Sequence, residues 1–328
     1  MMSSLFMMAF SGQLDAMLQE GKHVSFVDYV RRVSAGLTST LLRPEAAWGE
    51  SYSSVLCSKK GSTLVKSVGK RGTDDEGCCW PSSMIVSQDG DVIVADRTGK
   101  CLRVFSNTWE LRREISLSYK PLCMALFDNK TLVITGDAQN IHLLDYLQGK
   151  QKCVIQVTGL EGTVCPSGVS VDSLGRIIVT SNRQGYVLNC NGEVLTILDR
   201  EVQLGDYLNV TTNSKGDIIL SDFFNSSVHV FDSTGGFVHS FSSHGSGDGQ
   251  LDHPMGVCTD GMDSILVADS ENHRIAKFSV NGDFVEHMAT RESGLKFPYE
   301  VTMSQDNRQL IVCDCDFNGF IKVFSIND

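Results

Sequence analysis

Residues 253–285 read HPMGVCTDGMDSILVADSENHRIAKFSVNGDFV. Three short apolar runs, GVCT, SILVAD and RIAKFS, are separated by polar turns, and a fourth run begins at DFV. Short apolar runs bounded by Gly, Asn and Asp are typical of antiparallel β-strands. Because one sheet of four strands leaves both of its faces uncovered, this stretch predicts that further copies of itself pack alongside.

A repeat with a spacing of 40 to 47 residues runs through most of the chain. Its first marker is the position of Pro254, and the six equivalent residues are Pro81, Pro121, Pro166, Tyr207, Pro254 and Pro298. A second marker follows 15 residues later, or 16 in the last copy, at Asp96, Gly136, Ser181, Asp222, Asp269 and Asp314. A period of this length with several strands per copy is typical of β-propeller blades.

The residues between the markers predict the strands of each repeat. The third residue after the first marker is apolar in every copy, as in Met84 and Val257, whereas the second and fourth are mostly small. This alternation predicts an inner strand in a tight interior. Runs such as VIVAD and ILVAD predict a second strand that is buried on both faces. Six such units predict an all-β protein, a six-bladed β-propeller.

The two ends of the chain need separate interpretations. The sixth repeat ends at IKVFSIND, one strand short, and residues 62–69 precede Pro81 at the distance at which an outer strand precedes Pro254. We therefore expect the strand 62–69 to close the ring on the last blade of a propeller domain spanning residues 51–328. In residues 1–50, apolar residues at helical spacing between Phe26 and Leu37 predict a short helical or flexible N-terminal extension.

Composition narrows the classes of partner. The 328 residues carry a net charge of −11, which would repel a phosphate backbone unless the positive charges gather on one face. No apolar run approaches the roughly 20 residues of a membrane span. Eleven cysteines include no C-x₂-C pair, which favours reduced thiols over disulfides. We expect a cytoplasmic protein with neither a DNA nor a membrane partner.

The fifth repeat resembles the NHL repeat. The matching residues are Pro254-Met-Gly-Val, Ile265-Leu-Val-Ala-Asp269, Asn272-His-Arg274 and Asn281-Gly-Asp-Phe284. The first and sixth repeats keep parts of this motif, and the second, third and fourth are degenerate. The resemblance covers about residues 62–328 and implies an NHL propeller, a fold that hosts many functions.

The pattern is most similar to the C-terminal propeller of TRIM-NHL proteins, which couple a RING ubiquitin ligase and B-boxes to an NHL domain. Without C-x₂-C zinc pairs, the resemblance implies no ligase activity for these residues. It implies recognition: a protein or peptide ligand, with selection of substrates in a TRIM-type ubiquitin-ligase pathway. Single-stranded RNA binding and post-transcriptional regulation is the alternative that the same resemblance implies.

The candidate binding residues follow the second strands, on loops that a rigid scaffold positions at one face. They are Arg97, Lys100, Asn140, Arg183, Phe223, Phe224, His273, Arg274 and Phe317. Phe223 and Phe224 follow a strand directly, so either one ring points outward, where it could anchor a peptide or stack a base, or both pack between blades.

Metal and catalytic chemistry have weaker signals. The ring of Asp96, Asp222, Asp269 and Asp314 could bind a metal, but Asp at a strand end ordinarily accepts hydrogen bonds from turn amides, and a following Asn tolerates the left-handed conformation. Some NHL-like propellers are zinc-dependent lyases that use histidines on this face; here only His253, before Pro254, and His273, in the next loop of the same blade, are predicted to lie close together. No G-x-S-x-G, HExxH or Walker motif is present. We expect no cofactor, no metal and no catalytic residue, with a zinc-dependent lyase or hydrolase as the remaining enzyme alternative.

Overall fold

A computed structural model describes residues 62–68, 81–136, 139–158, 166–316 and 319–326. These ranges contain strands, turns and loops, and no helix. None of the described residues forms a helix that could span a membrane. The predicted N-terminal extension and Phe317 lie outside the described residues, so both stay predictions.

The described chain forms six four-stranded antiparallel sheets, which we number as blades 1 to 6. Blade 1 contains β2 (Pro81–Val86), β3 (Val92–Asp96), β4 (Cys101–Phe105) and β5 (Leu111–Ser116). Blade 2 contains β6 (Pro121–Leu126), β7 (Thr131–Gly136), β8 (Asn140–Asp145) and β9 (Lys150–Gln156). Blade 3 contains β10 (Val169–Val171), β11 (Ile177–Ser181), β12 (Gln184–Leu188) and β13 (Val194–Ile197).

The second half of the ring repeats the same order. Blade 4 contains β14 (Leu208–Thr212), β15 (Ile218–Asp222), β16 (Ser227–Phe231) and β17 (Phe237–Phe241). Blade 5 contains β18 (Pro254–Thr259), β19 (Ile265–Asp269), β20 (Arg274–Phe278) and β21 (Phe284–Ala289). Blade 6 contains β22 (Pro298–Met303), β23 (Gln309–Asp316), β24 (Gly319–Ile326) and, at its outer edge, β1 (Ser62–Val68). The all-β six-bladed propeller predicted from the sequence is confirmed.

The inner strands close a ring. Each of β2, β6, β10, β14, β18 and β22 packs against the next, and β22 packs against β2. Strand β1 pairs antiparallel with β24, from Ser62 opposite Ile326 to Val68 opposite Ile321. Because the first described strand completes the last sheet, backbone hydrogen bonds as well as side chains join the two ends of the propeller.

The hydrophobic core lies between successive blades. Ile93 and Leu102 of blade 1 cluster with Met124 and Leu132 of blade 2. Between the last blade and the first, Met84 and Val94 cluster with Ile311 and Val323. The second strands are buried along their whole length in all five blades in which every side chain is described. A single blade could bury only part of this apolar surface, which is why the fold needs the complete ring.

Hydroxyl side chains join neighbouring blades close to the axis-facing strands. The Ser82 hydroxyl donates to the Pro121 carbonyl oxygen at 3.0 Å, and Thr180 donates to Leu208 at 2.8 Å. Thr135 donates to the Ser167 carbonyl oxygen at 2.7 Å. Each bond crosses from one blade to the next. These small hydroxyl residues therefore have a second role beside their small size. They donate hydrogen bonds to backbone carbonyl groups that would otherwise lack a partner at the inner edges of the sheets.

The propeller has two unlike ends. We call the end at which each inner strand begins the loop face; it carries the loops between second and third strands and the linkers between blades. The opposite end, the turn face, carries the tight turns between first and second and between third and fourth strands. The sequence-predicted binding residues that the structure describes belong to the loop face.

Candidate functional site

The carboxylates at the ends of the second strands accept hydrogen bonds from backbone amides. Asp222 accepts hydrogen bonds from the amides of Gly205 at 2.8 Å and Asn225 at 3.0 Å. Asp269 accepts from Asp252 at 2.6 Å, and Asp314 accepts from Phe297 at 2.6 Å. Each carboxylate thus ties the linker that enters its own blade, and the interpretation of these residues as turn acceptors is confirmed.

Basic side chains face the same carboxylates. The shortest contacts join Arg274 Nε to Asp269 at 2.7 Å and Lys322 Nζ to Asp314 at 2.6 Å. The Arg103 guanidinium lies 4.0 Å from Asp96. Burial raises the pKa of Asp269, while the hydrogen bonds from its partners act in the opposite direction. These basic and acidic side chains bind each other, and they stabilise the loops of the loop face.

One detail of the predicted turns is wrong. The expectation places Asn in the left-handed conformation, but the residue that follows it adopts that conformation instead: φ is 51° at Ser226 and 58° at His273. The side chain of Asn272 donates to Asp269 at 2.8 Å and to the Gly245 carbonyl oxygen at 2.9 Å. Asn225 makes the equivalent pair of bonds to Asp222 and Gln203. The Asn side chain therefore binds the linker in addition to the Asp side chain. This role needs only ordinary backbone geometry at the Asn residue.

The two rings of the aromatic pair are buried to different extents. Phe223 is buried, with its ring edge-to-face against Tyr207 at 5.8 Å and tilted against His253 at 4.5 Å. Phe224 is half-buried and packs edge-to-face on Phe223 at 5.1 Å. The buried ring fixes the position of the outer one, so Phe224 presents a rigid apolar surface at the loop face.

Arg183, on the loop between β11 and β12, contacts the linker that also packs against this aromatic pair. Its Nε donates to the Leu204 carbonyl oxygen at 2.9 Å and lies 3.6 Å from the Asp206 carboxylate. A Cβ added at Gly205 would lie 3.1 Å from Phe224 Cβ, so the linker passes directly against the ring. The segment from Leu204 to Asp206 joins the two predicted residues, and the sequence pattern gives no sign of this role.

The remaining predicted residues are spread around the face. Arg97 is half-buried and Lys100 is exposed in blade 1. Asn140 begins the third strand of blade 2 and accepts a hydrogen bond from Gln156 at 3.4 Å. The structure therefore brings together Phe223, Phe224 and Arg183 between blades 3 and 4, and places the others at a distance along the ring.

Two predicted residues of blade 5 are engaged within the protein. Arg274 is buried, and beyond its ion pair it donates to the carbonyl oxygens of Ser246, Gly247 and Gln250 at 2.9 to 3.0 Å. His273 is half-buried, its Nδ1 contacts the Lys296 carbonyl oxygen, and burial lowers its pKa. Their direct role is to shape the linkers on which other loop-face residues stand.

The histidines of the zinc alternative are not assembled into a metal centre. His253 Nδ1 lies 2.7 Å from Asp252 Oδ1, whereas His273 contacts a different linker. Across the part of the chain that the structure describes, no group of three or more His, Cys, Asp or Glu side chains is arranged to hold a metal ion. Zinc-assisted chemistry would need at least three such protein ligands.

Comparison with known proteins supports the repeat assignment. The NHL repeat family model matches residues 251–278. Residues 251–278, in blade 5, are therefore an NHL repeat. The chain is 29% identical over 135 residues to Protein brain tumor of Drosophila melanogaster and 40% identical over 50 residues to Protein lin-41 of Caenorhabditis elegans. These matches cover 40% and 15% of the chain but only 12% and 4% of the two relatives, so the chain spans a small part of their length.

Solved structures share the fold at low sequence identity. A protein of unknown function from Bacteroides thetaiotaomicron superposes with a TM-score of 0.65 at 14% identity, covering 79% of this chain and 75% of the other. Virginiamycin B lyase of Staphylococcus aureus, in a structure with quinupristin, superposes with a TM-score of 0.55 at 15% identity, covering 76% and 85%. At such identities the likeness establishes the propeller architecture alone.

Proposed function

We propose that this NHL propeller is a non-catalytic recognition module that binds a protein or peptide partner at its loop face. The observation that carries the proposal is the half-buried Phe224 ring, which packs on Phe223 and on the linker that Arg183 binds. Rigid aromatic and arginine side chains at the centre of a patch are the residue types that dominate protein interfaces. Arg97, Lys100, Asn140 and the blade 5 loop with His273 and Arg274 extend the proposed surface, and Phe317 is included from the sequence.

The charge of the face favours a polypeptide over a phosphate backbone. The described loops and linkers of the face carry the basic residues Arg97, Lys100, Lys120, Arg183, Arg200, Arg291 and Lys296. They also carry the acidic residues Asp199, Glu201, Asp206, Asp248, Asp252, Glu271 and Glu292. With both signs interspersed, Asp206 next to Arg183 included, the described part of the face lacks the one-signed potential on which nucleic-acid affinity depends.

A TRIM-NHL relationship gives this recognition a context. The relatives brain tumor and lin-41 match within their NHL regions. By analogy, the propeller would select substrates for a ubiquitin-ligase pathway of the TRIM type. Single-stranded RNA remains the alternative ligand, because an aromatic ring beside arginine can also stack a base.

The test is affinity capture with the full chain, comparing Phe224→Ala with Phe237→Ala. Phe237 is 40% exposed on the outer strand β17 and packs on Phe231, so it is a matched control away from the loop face. We expect Phe224→Ala to weaken partner binding by about tenfold or more, as for an interface hot spot, with a loss of thermal stability no larger than that of Phe237→Ala. Phe237→Ala should keep the partner.

Two outcomes would overturn the proposal. If Phe224→Ala retains every partner that the unmodified chain captures, the loop-face aromatic is not the anchor. If the chain instead binds single-stranded RNA with an affinity that falls steeply with salt and depends on Arg183, Arg97 and Lys100, the RNA alternative replaces it.

A further inference from the structure

The inner strands enclose a channel with a volume of about 500 Å³, away from the loop-face surface proposed above. Its wall includes turn-face residues such as Asp260, Gly261 and Asn307, so the channel opens at the turn face. Cavities of this size, roughly 300–1,000 Å³, suit small organic ligands rather than single ions.

A pair of tyrosines lies at the loop-face end of the inner strands. The hydroxyl oxygens of Tyr207 and Tyr299 are 3.1 Å apart, which joins blade 4 to blade 6 past the intervening blade 5. Both residues stand at the loop-face ends of their inner strands, and neither contributes to the channel wall. The tyrosine pair therefore lies between the channel and the loop face, and we call the cavity the cup, with its mouth at the turn face.

A carboxyl group lies in the wall just beneath the tyrosines. Glu300 is 8% exposed, and its Oε1 accepts a hydrogen bond from the adjacent Val301 amide at 3.2 Å. No other hydrogen bond to this side chain is found within the described residues. A Cβ added at Gly256, the equivalent position in blade 5, would lie 2.4 Å from Glu300 Oε1. The glycine leaves the space into which the carboxyl group extends.

The neighbours of Glu300 are uncharged and mostly polar. At its level the wall carries Ser83, Cys123 and Asn209, and the next level towards the mouth carries Ile85, Ala125, Ser170, Thr211, Cys258 and Thr302. Among the described residues, the wall contains no Lys, Arg or His. The Asn209 side chain, 8% exposed, makes no hydrogen bond with the described residues, so its amide oxygen is available in the same ring.

The other titratable groups near Glu300 do not supply a counter-charge. Burial raises the pKa of Cys123 to about 11 and raises the pKa of Cys258 and Tyr207 as well, and the Glu300 charge acts in the same direction on each. Asp260, at the mouth, is paired with Lys277 at 2.9 Å. Burial raises the pKa of Glu300 itself to about 8.

We propose that the cup binds a primary ammonium group, with the ammonium at Glu300 and Asn209 and an aliphatic chain directed towards the turn-face mouth. A buried carboxylate without a cationic partner is costly, and a ligand cation removes that cost. An ammonium carries three N–H donors, which match the carboxylate and neutral oxygen acceptors of this ring. The described residues hold no group of three metal ligands, which leaves an organic cation as the better occupant.

The proposal is tested by calorimetry on the full chain with n-butylammonium, against n-butanol as the uncharged probe. We expect the ammonium to bind and the alcohol to bind at least tenfold more weakly. Glu300→Gln should reduce ammonium affinity at least tenfold, whereas Glu286→Gln, an exposed outer-strand control, should leave it unchanged. Replacing the probe with Nα-acetyl-lysine amide shows whether a protein lysine, rather than a free amine, can enter the cup.

Proton linkage gives a readout that needs no variant. Below pH 8 the free Glu300 is mostly protonated, and binding of the cation must release that proton. Affinity should therefore rise about fiftyfold from pH 6 to pH 8 and level off above pH 9, while the amine stays charged. Calorimetry in two buffers of different ionisation enthalpy should detect the released proton at pH 7.

The proposal fails if n-butylammonium does not bind at pH 8, if n-butanol binds equally well, or if Glu300→Gln binds like the unmodified chain. Should Glu300→Gln not fold, the absence of proton release from the unmodified chain would overturn the proposal by itself. A failed result here leaves the loop-face proposal intact, because the tyrosine pair lies between the two sites.

Discussion

Blades 5 and 2 hold the linkers that enter them in different ways. In blade 5 the second strand ends in Asp269, which binds the incoming linker together with Asn272 and Arg274. In blade 2 the equivalent residue is Gly136, and no carboxylate is present at that position. Blade 5 fixes its linker with charged hydrogen bonds, whereas blade 2 must fix it by other means.

Aromatic packing replaces the carboxylate in blade 2. The Tyr119 ring stacks on the His142 ring with centroids 3.6 Å apart and an interplanar angle of 13°. A Cβ at Gly136 would lie 2.9 Å from the Lys120 carbonyl oxygen and 3.0 Å from the Tyr119 ring. The degenerate repeat is therefore a different, well-packed solution, and its glycine is required by the tyrosine that enters the vacant space.

The largest expected effect comes from removing the blade 5 carboxylate. Asp269→Ala leaves the buried Arg274 guanidinium without its ion partner and the Asp252 amide without its acceptor. Breaking a buried ion pair from one side typically costs about 3–5 kcal/mol. Urea unfolding of the variant and the unmodified chain measures the loss of unfolding free energy.

The control is Asp283→Ala, an exposed carboxylate of the same blade whose side chain makes a 3.4 Å contact to Ser279. We expect its effect to stay within about 0.5 kcal/mol. A loss below about 1 kcal/mol for Asp269→Ala would show that the Asp269 hydrogen bonds contribute little to stability. The two ways of holding the linker in blades 5 and 2 would then not differ in free energy.

A second variant introduces the carboxylate of blade 5 at the equivalent position of blade 2. Gly136→Asp places a carboxylate where Tyr119 and the Lys120 carbonyl group already fill the space. Overpacking of this kind typically costs about 1–3 kcal/mol. In a double-mutant cycle with Tyr119→Ala, we expect the two substitutions to be less than additive, because removing the ring frees the space that Asp needs.

Strict additivity in that cycle would contradict the interpretation. It would mean that Tyr119 and the introduced carboxylate do not compete for one volume. Gly136→Ala provides a graded comparison, since it adds only the Cβ and no charge, and it should cost less than Gly136→Asp when both are measured by urea unfolding.

The fold was predictable because its signal is local and repeated. The apolar column that contains Met84 and Val257 marks the inner strands, and the buried runs such as Ile265–Asp269 mark the second strands, whatever happens in the loops. Six weak signals at one spacing reinforce each other, so degenerate motifs in blades 2 to 4 did not hide the ring.

The site was predictable only in part, because its geometry depends on contacts between distant residues. The division of roles between Phe223 and Phe224 could be stated only as an alternative until the contact with Tyr207 was known. Arg274 reads as a surface residue of a loop, but three carbonyl groups of the preceding linker bind it. Glu300 lies in a column of small residues, and only the space left by Gly256 explains how that column accepts it.

The smallest expected effect comes from removing the Asn272 side chain while Asp269 is kept. Asn272→Ala removes two hydrogen bonds, to Asp269 and to the Gly245 carbonyl oxygen, while the Arg274 ion pair remains. Each such bond contributes about 1 kcal/mol net, so we expect a loss of about 1–2 kcal/mol in urea unfolding. In blade 2, Asn140→Ala should change the unfolding free energy by less than about 0.5 kcal/mol, because its side chain only accepts a 3.4 Å bond from Gln156. Equal losses at the two positions would mean that Asn stabilises these loops through its own backbone preference rather than by binding the linker, and the blade 5 solution would then rest on Asp269 and Arg274 alone.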